Sequence, residues 1–264
     1  MGRLPALFVS HGAPNLVLHD SPARTFLAHY AGRIEKPRAI LSVSAHFETG
    51  EPTVVSDPHP GMIYDFNGFE AELSQLNYPA PGSTPLAERV AEAIGAAGLP
   101  VRTMPLRGFD HGSWVPLMLL YPEADIPVVQ VSVQPGASAR DHFALGAALA
   151  PFREEGVLVL GSGSFTHNLR EAFGRRANGH SDDEPPQWVS AFVDWMVTRL
   201  DSGALEDLLD YRVHAPFAAE NHPTDEHLMP LYVALGAAAS PLRAEHLHES
   251  HQFGVLHLDA YAFH

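Results

Sequence analysis

The feature that most restricts this chain is a rhythm of apolar runs that stop abruptly. Short, β-branched stretches recur at Leu4–Val9, Ala39–Val43, Thr53–Val55, Val128–Val133 and Val157–Leu160. Near-continuous apolar strands of this kind belong in a sheet covered on both faces. Helical stretches lie between them. Thr84 can cap a helix that has Pro85 in its first turn, with Leu86, Val90, Ile94 and Ala97 on one face and Gly98 as a stop. Asp141–Arg153 and Gln187–Leu200 also read as helices, and Thr224 is placed to cap Asp225–Leu235. The segment Leu242–Leu258 adds one or two strands, and the Pro/Gly-rich stretch Asp57–Gly82 reads as a long excursion over one face. Alternation of strand and helix predicts an α/β fold. We expect one domain over residues 1–264, its mixed, largely parallel sheet flanked by helices on both faces.

The residues at the end of each run are as informative as the run itself. Leu7-Phe8-Val9 leads into Ser10-His11-Gly12, Leu41-Ser42-Val43 into Ser44-Ala45-His46, and Val157 to Leu160 into Gly161-Ser162-Gly163-Ser164-Phe165-Thr166-His167. Ligands of open α/β sheets bind beyond the carboxyl ends of the strands. Three histidines delivered there by three strands converge on one crevice. Neutral imidazole is the commonest metal-binding side chain, and each such residue taken singly would be read as an ordinary core histidine.

Two further clusters stand in loops. In Glu220–His227, the two histidines are five apart, which does not match HExxH, so a zincin is excluded. His222, in the loop before the expected helix, is the ligand candidate. His227 either backs a ligand or only completes the turn. In Arg107–Trp114, Ser113 can cap the next helix, and Asp110 beside His111 either orients that imidazole for acid/base work or merely stabilises the loop. Gly161-Ser162-Gly163-Ser164 is neither a phosphate loop nor a nucleophile elbow. His246, His248, His251 and His257 read as strand residues among Leu247 and Leu256. His19, His29, His59, His142, His180, His214 and His264 read as surface or structural.

Composition removes other chemistries. The chain has 17 histidines against 16 Lys plus Arg, no cysteine, and Lys36 as its only lysine. Disulfides, thiolate nucleophiles and iron–sulfur clusters are therefore excluded, and a Schiff-base lysine is disfavoured. A net charge of −15 disfavours nucleic acid and anionic membrane surfaces. No apolar run approaches the roughly 18 residues of a spanning helix, and the opening apolar stretch is too short for a signal peptide. A cytoplasmic protein, monomeric or a small homo-oligomer, with no nucleic-acid or membrane partner, is the expectation.

Assembled, the chain resembles the class III (LigB-type) extradiol ring-cleavage dioxygenases, and among them the 4,5-DOPA dioxygenase-like family. The resemblance is carried by SHGAP at 10–14, SAHFE at 44–48, YDFNGF at 64–69, YPAPG at 78–82, DHGSW at 110–114, GSGSFTHNL at 161–169 and HPTDEHLMPL at 222–231. Ala13 stands where Ser is common, and Phe47 where Trp is common. The resemblance implies a mononuclear Fe(II) site, often found holding Zn(II), that opens a small catechol with O2. It implies His11, His46 and His222 as metal ligands, His167 as a further ligand or acid/base, and His111 as a second catalytic histidine. Glu220 and Asp225 are the carboxylate alternatives to His222. A Zn-dependent hydrolase on the same cluster and a non-catalytic, Memo-like metal or small-molecule binding protein are the competing readings.

Overall fold

The computed structural model describes residues 2–179, 184–238 and 241–264; His180 lies outside them. Eight strands form one sheet: β1 (Ala6–Ser10), β2 (Ala39–Glu48), β3 (Thr53–Val55), β4 (Arg102–Met104), β5 (Val128–Val133), β6 (Val157–Gly163), β7 (Ala244–His248) and β10 (Ala260–Phe263). β8 (His251–Gln252) and β9 (Leu256–His257) make a separate two-stranded hairpin. The sheet order is β4-β3-β5-β2-β6-β1-β10-β7. Neighbours β5, β2, β6 and β1 run parallel, as do β3 and β4, while β3 against β5 and β1-β10-β7 are antiparallel.

The helices are α1 (Pro22–Tyr30), α2 (Thr84–Ala96), α3 (His111–Leu120), α4 (Ala139–Leu149), α5 (Leu169–Ala177), α6 (Gln187–Ser202), the short α7 (Leu205–Leu209), α8 (Tyr211–His214) and α9 (Ala218–Asn221), and α10 (Met229–Gly236). None is long and apolar enough to cross a membrane among the described residues.

Strand side chains alternate between two apolar cores, as period-2 geometry requires. Phe8, Leu41, Val43, Val157 and Val159 pack with α2, α4, α6 and α10 on one face. Leu7, Val9, Ile40, Leu158 and Leu160 pack with α1, α3 and the 57–82 excursion on the other. Full burial of such a side chain stabilises by roughly 1.5–3 kcal/mol. The expected two-faced sheet is therefore what forms.

Four helix starts differ from expectation, α4 opening at Ala139 behind a Ser138 cap rather than at Asp141. Ser83, not Thr84, caps α2, its side chain accepting from Leu86 N. Asp110, not Ser113, caps α3. The last expected helix begins at Met229 rather than Asp225. Thr224 spends its hydroxyl on Glu226, residues 223–228 run as turns, and Pro230 takes the first helical turn, where a missing N–H costs nothing.

One polar side chain closes the chain ends. Arg153, 1% exposed, donates to the carbonyls of Leu4, Ala237 and Phe263. It thus holds the chain before β1, the residue after α10 and the end of β10 together.

Candidate metal centre

The carboxyl ends of β1, β2 and β6 meet in one crevice. His11 follows β1 directly and His46 lies within β2 near its end. The third imidazole beside them comes from His227. A ring nitrogen from each of His11, His46 and His227 lies within 4.8 Å of the others. Ring centroids are 5.1 Å apart for His11–His46, 5.5 Å for His11–His227 and 4.9 Å for His46–His227.

A close backbone approach admits His227. Any Cβ on Gly163, at the end of β6, would come within 2.0 Å of the His227 carbonyl oxygen. That carbonyl also accepts from Ser164 N at 2.8 Å. The 223–228 turn is thus pressed onto the strand end.

Hydrogen-bond partners fix which nitrogen of each ring is bare. Ser162 Oγ gives its only proton to the Gly112 carbonyl, so the 3.1 Å contact with His11 Nδ1 must be donated by the imidazole. His46 Nδ1 faces Asp65 Oδ2 at 3.5 Å, and His227 Nδ1 meets Glu226 Oε1 at 2.8 Å. A carboxylate only accepts, so His227 also carries its proton on Nδ1, and the Asp65 carboxylate favours the same tautomer for His46. The Nε2 atoms of His11 and His46 lie 3.2 Å apart, and with both rings protonated on Nδ1 their lone pairs face each other. That opposition is unfavourable unless a cation is shared. Burial, together with the mutual influence of the imidazoles, holds His11 and His227 well below the usual histidine range and His46 at about 4, so all three are neutral donors at pH 7. Nitrogen donors with outward N–H groups anchored by oxygen are what a transition metal selects. The residues fit a metal ion.

Two more imidazoles adjoin the cluster. His167, after β6, stacks on His227 with centroids 3.4 Å apart. Its ring has no hydrogen bond among the described residues, and burial lowers it to about 3. Its nitrogen groups with Glu226 and His227 within the same 4.8 Å limit. His111, the first residue of α3, lies 4.0 Å from His46 and 5.3 Å from His11 between ring centroids. Its Nδ1 is 2.9 Å from Asp65 Oδ1. Asp65 was not among the sequence candidates. Burial pushes its carboxyl up, but the hydrogen bond from His111 and the nearby His46 outweigh this and bring it down to about 2.

His222 sits elsewhere. Fully buried, it meets the Phe165 carbonyl through Nε2 at 2.9 Å and packs against Phe192. It is in none of the groups close enough to share an ion among the described residues, namely the two above and His46 with Asp65 and His111, and neither are Glu220 and Asp225. Asp225 instead accepts from Tyr211 and Arg212. Asp110 does not orient His111. Its Oδ1 accepts from Ser44 and Ser113, and its Oδ2 from Arg107.

Residues 5–263 match the family described as the catalytic LigB subunit of aromatic ring-opening dioxygenase. The chain belongs to the LigB family. It is accordingly an aromatic ring-opening dioxygenase. It is 44% identical over 263 residues to the 4,5-DOPA dioxygenase extradiol of Beta vulgaris, covering 97% of this chain and 95% of that one. It is 39% identical to the Escherichia coli protein of the same name, covering 89% and 85%. A crystal structure of an uncharacterized Escherichia coli K12 protein, 33% identical, superposes with a TM-score of 0.82 over 98% of this chain and 99% of the other. The resemblance seen in the motifs therefore holds across this LigB chain. Asp65 and Glu226 were legible only as letters inside those motifs, since their partners come from distant or turn-folded segments.

Proposed function

We propose that this LigB protein opens the ring of a small, DOPA-like catechol by extradiol cleavage, with His11, His46 and His227 holding Fe(II). The observation that carries the ligand set is the convergence of three ring nitrogens, from His11, His46 and His227, within 4.8 Å of one another, with an oxygen facing each Nδ1. Fe(II) bound there would supply the redox chemistry that joins O2 to a catechol, whereas Zn(II) on the same donors has none.

The chain's own groups account for the proton steps. His111 lies beside His46, and His167 beside His227, so bases border the cluster on two flanks. His167, whose ring makes no hydrogen bond among the described residues, stands beside the cluster where it could exchange a proton between a catechol hydroxyl and the opening product. Phe66 meets His111 edge-on at 6.1 Å, and Tyr64 and Phe69 stand near it, half exposed, so an aromatic ring has an apolar wall to lie against. A site without thiolates suits a metal that meets O2, and a cytoplasmic setting agrees with a cysteine-free chain.

The test is anaerobic Fe(II) loading, then exposure to O2 and a panel of catechols. O2 uptake with a coloured ring-opened product is expected. Turnover with Zn(II) and no need for O2 would point instead to a hydrolase, and tight metal binding with no turnover to a binding protein.

A further inference from the structure

We infer that Asp65 is the positioning residue of this site, a single carboxylate that sets the tautomer of His111 and His46 together so that both rings turn an unprotonated Nε2 inward. The inference rests on the ring-opening reading for its catalytic consequence, but not for its geometry. Asp65 Oδ1 accepts twice from His111, from the backbone N at 3.1 Å and from Nδ1 at 2.9 Å. Its Oδ2 faces His46 Nδ1 at 3.5 Å. One side chain thus contacts a ring of the metal cluster and a ring of the proton machinery. Which ring nitrogen of a histidine is bare depends on the bond made by the other. Without a carboxylate acceptor at Nδ1, nothing in the site keeps the His111 proton away from the face where a catechol oxygen must lie.

The backbone carrying Asp65 is built to hold it there. On one side, Ile63 N donates to Phe109 O at 2.7 Å, Phe109 N to Gly61 O at 2.8 Å and Trp114 Nε1 to Ile63 O at 3.2 Å. On the other, the Glu70 carboxylate meets His19 Nε2 at 2.6 Å and accepts from Asn15 Nδ2. Asn15 and His19 lie just after His11 in sequence. The excursion is pinned at both ends to elements that carry site histidines, with Asp65 between the pins. The carboxylate also places a negative charge one imidazole away from the metal position, in a cluster whose three proposed ligands are all neutral.

Two arms test this. In the first, ¹⁵N-histidine NMR of metal-free protein reads the tautomer of His111, assigned against His111→Ala. Wild type should show Nδ1–H. Asp65→Ala should shift the ring toward Nε2–H, and an unchanged His111 tautomer overturns the inference. Asp65→Asn keeps an acceptor oxygen and should retain Nδ1–H, which separates loss of the bond from loosening of the loop. In the second, Fe-loaded Asp65→Ala should lose roughly 10- to 100-fold in kcat with KM changed less than about threefold. On a His111→Ala background the same substitution should cost clearly less than it does in the wild type, because the His111 bond is already gone and only the His46 contact remains to be lost. Independent, multiplying losses overturn it. The NMR arm needs neither iron nor catechol, so it decides Asp65 even where no catechol is opened.

Discussion

Five positions separate His222 from His227, and each ring finds a different partner. His222 spends Nε2 on a carbonyl 57 residues away, inside the apolar layer beside Phe192. His227 spends Nδ1 on its own neighbour, Glu226, and leaves Nε2 free. Replacing His227 by Ala is expected to cut bound metal to below about a tenth of the wild-type content. Replacing His222 by Ala is expected to leave metal content near wild type and to lower stability by about 2–5 kcal/mol, as for truncation of other large buried side chains. Metal analysis and melting curves on the two variants check this, and the opposite pattern would give the ligand role to His222. His11 and His46 were legible because apolar strands announce where they end. The choice within HPTDEH was not, because no local spacing shows that the Phe165 carbonyl would reach one ring first. Asp65 was hidden for the same reason, its partner lying 46 residues onward.

The strand ends make the crevice, and one glycine lets a turn close it. At Gly163 the atom in the way of a Cβ is backbone, the His227 carbonyl, so the turn would have to move. Gly163→Ala should therefore cost about 1–3 kcal/mol as overpacking and weaken metal binding at least about tenfold by displacing His227. Gly50→Ala, where nothing lies within 4 Å of a Cβ, serves as the control and should change neither. Isothermal titration of the metal-free variants reads the difference, and an unaltered affinity in Gly163→Ala would mean that the turn is not what places His227. The central parallel strands were readable because both faces are apolar. β7 to β9 were read only in outline, being short or partly exposed with mixed side chains, while β4 and the short, fully buried β10 lay outside the stretches read as strands. α10 has every residue buried, so it lacks the polar face that would have marked its boundaries, and the Thr224 read as its cap lies ahead of its actual start at Met229.

At the scale of the whole molecule, buried neutral histidines make stability depend on pH. His222 falls from 6.5 in the unfolded chain to about 4 in the fold because burial disfavours its charge. His142, lowered by burial as well, accepts from Gln134 N through Nε2 and would lose that bond on protonation. The unfolded chain thus binds protons between pH 6.5 and 4 that the folded chain refuses. The contribution of these two rings is complete above pH 6.5 and drains away as pH falls through that window, by about 3 kcal/mol from His222 alone at roughly 1.4 kcal/mol per unit. Urea unfolding of the metal-free protein at pH 7.5, 6 and 5 should show the midpoint dropping, and a flat profile would rule the account out. Arg153 gives a second expectation at this scale. Arg153→Met removes the donors from three buried carbonyls and should lower stability by about 2–5 kcal/mol in the same experiment.

The seam between β1 and β10 also sets an order in time. Ser10 N and Oγ both donate to the carbonyl of Asp259, 249 residues later, and Phe165 N in turn donates to Ser10 Oγ. While the chain is being synthesised, β1 waits with one edge bare and the strand end that carries His11 lacks its final clamp until residues 259–263 have left the ribosome. Truncation within the last half-dozen residues should be felt first as lost metal at the opposite end of the sequence.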